Sequence, residues 1–127
     1  MLLRRARALA AAHLVLVRCR SRLSMEDAIA ETEIQCVSLS GHSFTSILRV
    51  GRPRLHDRGM WSCSLSMDGL FHEDRPLFGD DSLQALCLAM DFARSQLQDF
   101  VSRGGQLVIP GTRDAFPLNA YFASPNI

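Results

Sequence analysis

The sequence predicts an α+β fold, an antiparallel β-meander of three to five strands with one long C-terminal-half helix packed across one face. Three observations lead there. Trp61-Ser62-Cys63-Ser64-Leu65-Ser66-Met67-Asp68 alternates apolar and polar residues without a fault, the period of a half-buried strand. Asp68-Gly69 at its end is a hairpin signal. Gly79 to Met90 opens a long amphipathic helix, and a sheet wet on one face needs such a helix on the other.

The elements follow in order. Ile34 to Leu39 is a first strand and Gly41-His42-Ser43 a turn cluster. Phe44 to Val50 is a second strand, with Phe44, Leu48 and Val50 on one parity and Ile47 on the other. Gly51-Arg52-Pro53-Arg54 breaks it, because proline cannot donate to a ladder. Leu55 to Gly59 is a charged loop. Trp61 to Met67 is the third strand, with Trp61, Cys63, Leu65 and Met67 facing the core. Leu70-Phe71 begins a short fourth strand, cut by His72-Glu73-Asp74-Arg75-Pro76, and Leu77-Phe78 resumes the apolar character.

The helix start is well marked. Asp81 can cap the first amides and Gln84 can reach back, a capping-box arrangement. Leu83, Leu86, Cys87, Met90, Leu97, Phe100 and Val101 recur at three- and four-residue steps and predict the core stripe, widened by Leu88, Ala89 and Phe92. Ser95, Gln98, Asp99 and Ser102 make the wet side. Gly104 after Arg103 is a C-terminal stop. About twenty residues at 1.5 Å each give roughly 30 Å, enough to cross a small sheet. Leu107-Val108-Ile109 is a last strand, ended by Pro110-Gly111. Phe116, Leu118, Tyr121 and Phe122 form an apolar tail that either closes the core or offers a partner a sticky surface.

A chain of 127 residues fits one domain, or one domain plus a tail. The net charge of +1 hides an asymmetry. Residues 1–24 carry Arg4, Arg5, Arg7, Arg18, Arg20 and Arg22 and no acid, so residues 25–127 are left with a net charge of −5. All 14 basic residues are arginine, which points to a GC-rich, bacterial source. Cys19, Cys36, Cys63 and Cys87 form no C-x-x-C pair. Cys63 and Cys87 fall on apolar faces and read as small core hydrophobes, which suits a reduced, cytoplasmic compartment.

Residues 1–24 have three readings. A signal peptide is opposed by Arg18-Cys19-Arg20-Ser21-Arg22, which ends the apolar run without a cleavage site, and the run is too short to span a membrane. A transit peptide needs a eukaryotic source. A misassigned start fits best, with Met25-Glu26-Asp27 as the natural beginning. The expectation is a disordered or misassigned extension at 1–24 and a single α+β domain at 25–127. A nucleic-acid arm is set aside because the rest of the chain has no basic patch.

No nucleophile elbow, phosphate loop, dinucleotide fingerprint, zincin helix or EF-hand is present. His42, His56 and His72 lie in predicted loops near Asp57, Glu73 and Asp74, a pattern that could serve acid–base or metal chemistry. Their spacing matches no ligand pattern, so solvated loop residues are the better reading and no metal site or cofactor is expected. Trp61 would be a binding anchor if exposed, but its strand parity makes it core. Asp80 and Asp81 look like a carboxylate pair, yet their place at a helix start favours capping.

Trp61-x-Cys63, Gly69, and then Phe78-Gly79-x-Asp81-Ser82-Leu83-Gln84-Ala85-Leu86 resemble a bacterial family of small uncharacterised proteins, domain of unknown function 6968. The resemblance covers roughly residues 31–110 and implies a strand, a hairpin and a helix opening with G-x-D-S-x-Q-A-L. It carries no activity and no site residues.

Two functions remain. The first is a non-catalytic protein-interaction module, similar in kind to immunity proteins, whose acidic domain suits a basic protein partner. It would bind no nucleic acid and no membrane. The second is a small metal-dependent or small-molecule enzyme using His42, His56, His72 and nearby carboxylates.

Overall fold

A computed structural model describes residues 27–71 and 74–122. Six strands form one antiparallel sheet: β1 (Ala28–Val37), β2 (Ser43–Gly51), β3 (Arg54–Leu55), β4 (Trp61–Met67), β5 (Arg75–Gly79) and β6 (Gln106–Val108). Helix α1 (Ser82–Ser102) packs on one face, chiefly against β4 and β5, and a single turn, α2 (Leu118–Tyr121), follows β6. This is the α+β meander expected. The sixth strand arises because β2 is interrupted, not ended. Leu48 and Val50 face Met67 and Leu65, and Arg54 and Leu55 resume along the same line of β4 against Ser62 and Trp61. The register shifts by one residue across Gly51-Arg52-Pro53, where Pro53 has no N–H to offer.

β4 is central, with β2 and β3 on one side and β5 on the other. Its Cys63, Leu65 and Met67 are buried under the helix. Its outward serines Ser62 and Ser66 are buried too. A small side chain on a central strand is covered by larger neighbours, here Arg54 and Phe78 flanking Ser62 and Arg49 beside Ser66.

Two predicted strands move. β1 begins six residues earlier than expected and stops before Leu39, which is exposed in the turn. Leu70-Phe71 is not a strand; it closes the turn that follows β4, with Gly69 at φ 81°. The fourth strand is Arg75–Gly79, and its Pro76 is tolerated because among the described residues β5 has a strand partner, β4, on one side only.

The helix matches its predicted ends. The Gln84 amide donates to Asp81 Oδ1 at 2.7 Å, and the Asp80 amide donates to Gln84 Oε1 at 2.6 Å. Gly104 stops it at φ 91°. Its phase agrees with the expectation at Ala89, Leu97 and Phe100, which are buried, and at Leu86, Met90 and Phe92, which pack against the core. It differs at Leu83, Cys87, Leu88 and Val101. The buried line is Ala85, Ala89, Ala93, Leu97 and Phe100, while Leu83 is 67% exposed and Cys87 and Val101 are exposed as well. Cys87 is therefore a surface thiol and not a core hydrophobe. The cause is the sheet beneath. Ile34, Leu48, Leu65 and Met67 supply the volume, so alanines on the helix let it sit close. Gly79 shows how close: a Cβ there would lie 2.7 Å from the Ala85 amide nitrogen.

Candidate interaction surface

Because α1 leans toward β4 and β5, the opposite half of the sheet lacks a full cover among the described residues. Ala30 and Thr32 of β1 and Leu48 and Val50 of β2 form the floor of a groove there. Leu86 and Met90 of α1 make one wall, and Tyr121 and Phe122 at the end of α2 make the other. The groove holds about 360 Å³ and its lining is almost wholly apolar. Its mouth is unusually greasy for a small domain, with Ile29 49% and Tyr121 51% exposed. A β-bulge between Ala28 and Ala30 places Ile29 there. Tyr121 is held by stacking on Phe116 at 4.6 Å.

The groove borders an open strand edge. β6 pairs only with Gln35, Cys36 and Val37, so Ala28 to Ile34 have no strand partner on that side among the described residues. Sequence ends the pairing. The next edge-facing residue after Gln35, which faces Val108, is Glu33, and the same register would bring it to Pro110, which has no N–H. Glu31 and Glu33 stand on the outer face of this edge. The Arg49 guanidinium donates to Glu31 at 2.9 Å, and Glu33 has no ion-pair partner among the described residues.

The residues singled out from sequence are scattered. His42 is exposed in the β1–β2 turn, its ring 5.8 Å from Phe44. His56 lies beyond β3, at the other end of β2, so the two histidines do not meet. His72 lies outside the described residues, as does Cys19. Trp61 is half-buried at the head of β4 and packs against the core. Asp81 is occupied as a cap. Among the described residues no three of His, Cys, Asp and Glu come together as a metal cluster.

His56 does have one partner. Its Nε2 lies 2.5 Å from Ser62 Oγ, within a shallow depression that includes Asp27, Arg52, Arg54 and Phe78. The Arg54 guanidinium donates to Asp27 Oδ1 at 3.0 Å. The buried thiols are poor nucleophiles. Burial pushes Cys36 up to about 11 and raises Cys63, so both stay protonated near neutrality.

Residues 37–118 match the family described as Domain of unknown function (DUF6968). The chain belongs to that family. DUF6968 thus spans the groove's Leu48, Val50, Leu86 and Met90, while Glu31, Glu33, Tyr121 and Phe122 lie beyond the matched residues. No curated protein matches the chain, and no solved structure does. No helix of the described residues is long and apolar enough to cross a membrane.

Proposed function

We propose that this DUF6968 protein is a non-catalytic protein-interaction module for a basic protein partner. The observation that carries the reading is the apolar groove beside an unpaired strand edge bearing Glu31 and Glu33. Apolar surface gives affinity, and rim carboxylates steer a cationic partner. A bacterial, cytoplasmic setting belongs to the same proposal, supported by the arginine-only basic set and the unpaired thiols Cys36, Cys63 and Cys87. Selection of displayed random heptapeptides against the full chain tests it. Basic and apolar sequences should be enriched, and Met90→Asp should abolish the enrichment. Enrichment that survives Met90→Asp would refute the groove as the binding surface.

A second reading, a small-molecule enzyme, draws on the His56–Ser62 contact alone. It requires ester hydrolysis that His56→Ala removes. Hydrolysis unaffected by that change would leave it without support.

A further inference from the structure

The hydrogen-bonding phase of β1 can be read residue by residue. The Ser38 amide donates to the His42 carbonyl, which makes Ser38–His42 a bonded pair of the β1–β2 ladder. Bonded pairs alternate along an antiparallel ladder. Cys36, Ile34, Thr32 and Ala30 therefore direct their main-chain groups to β2. Glu33 and Glu31 direct theirs the other way, to the open edge. β6 agrees: Leu107 and Ile109 bond to Phe116 and Asp114 on its far side, leaving Gln106 and Val108 to face Val37 and Gln35. At the other end the Arg52 amide donates to the Asp27 carbonyl, the phase change expected across a one-residue bulge at Ile29.

The edge thus presents amides and carbonyls of Glu31 and Glu33, the same residues whose carboxylates stand on the outer face. On the inner face the edge borders the groove. A strand added here would alternate its side chains between two environments. One set would meet two carboxylates, and the other would drop over Ala30, Thr32 and Met90. A second copy of β1 fits poorly, because continuing the sheet with both helices on one side would bring glutamate against glutamate.

Resting on the interaction-module reading above, we infer that the partner is an extended segment alternating arginine or lysine with apolar residues, bound by strand addition to the open edge of β1. Main-chain bonds to Glu31 and Glu33 supply register, the groove takes the apolar side chains, and the Glu33 carboxylate, with Glu31 shared with Arg49, selects the basic ones.

The test uses the full chain and a fluorescein-labelled heptapeptide alternating valine and arginine, followed by fluorescence anisotropy. Glu33→Pro removes an edge-facing amide and a carboxylate without removing a bond to β2. It should weaken binding at least tenfold while thermal unfolding stays cooperative. Glu33→Gln should weaken binding severalfold and reduce its salt dependence. The same peptide N-methylated at alternate residues, in either of the two phases, separates the modes: one phase should fail to bind. Binding unchanged by Glu33→Pro and by both N-methylated peptides, yet lost with Met90→Asp, would overturn strand addition and leave the groove reading standing. Binding unchanged by Met90→Asp as well would sink both. Val17-Arg18-Cys19-Arg20-Ser21-Arg22-Leu23 has the alternation itself. Peptide uptake only after Arg18, Arg20 and Arg22 become glutamine would overturn the partner in favour of this chain's own segment.

Discussion

The two edges of the sheet are built differently. β5 is guarded. It is short, carries Pro76, lies under α1, and is followed back by Arg75, whose guanidinium sits over the Phe92 ring at 5.4 Å. Charge, proline and a covering helix are how sheets protect an edge from unwanted pairing. Between Ala28 and Ile34 β1 carries charge at Glu31 and Glu33 and a bulge at Ile29, but no proline and, among the described residues, no covering helix, and it adds an apolar groove. The contrast teaches that openness at β1 is not a general property of this sheet. One half is packed for stability, and the other is left available.

That division can be broken by mutation. The largest loss should come from the covered half. Leu65→Ala, fully buried between β2 and β5 beneath α1, should cost about 2–5 kcal/mol in urea unfolding. Asp81→Ala should cost roughly 0.5–2 kcal/mol, because the Gln84 amide loses its acceptor where the helix begins. A smaller effect comes with pH. Burial raises the Cys36 thiol from its ordinary 9.0 to about 11. Between those values the unfolded chain has lost a proton that the folded chain keeps, so stability should fall as pH rises from about 9 toward 11. Cys36→Ala should flatten that part of the curve. The smallest effect belongs to the exposed helix face, where Leu83→Asp should change stability by no more than about 0.5 kcal/mol. A large loss at Leu83 would restore the helix phase read from sequence.

The same division explains what the sequence made legible. β4 and the ends of α1 carry local signals: unbroken alternation, the Asp81–Gln84 cap and Gly104. The helix phase does not, because Leu83, Cys87 and Val101 are as apolar as the residues that pack. Only the bulk of Ile34, Leu65 and Met67 across the interface decides that alanines go inward. β5 was hidden by Asp74-Arg75-Pro76, which reads as a breaker yet forms an edge strand. The first half of β1 was hidden for the reason that makes it interesting. Ala30, Glu31, Thr32 and Glu33 lack the apolar alternation of a covered strand, and among the described residues no helix lies squarely over them. The groove draws on β1, β2, α1 and α2, and no local motif announces such a meeting. His42, His56, His72 and Trp61 drew attention by residue type, which says little about where a fold leaves an edge unpaired.

The central claim concerns main-chain groups, so amide hydrogen exchange of the full chain tests it most directly. In the free protein the amides of Thr32 and Ile34, bonded to β2, should exchange slowly, while those of Glu31 and Glu33 between them should exchange fast. Adding the valine–arginine heptapeptide should slow Glu31 and Glu33 at least tenfold and leave Thr32 and Ile34 nearly unchanged. Glu31 and Glu33 amides already as protected as their neighbours in the free protein would show that the edge is not open, and would contradict the account.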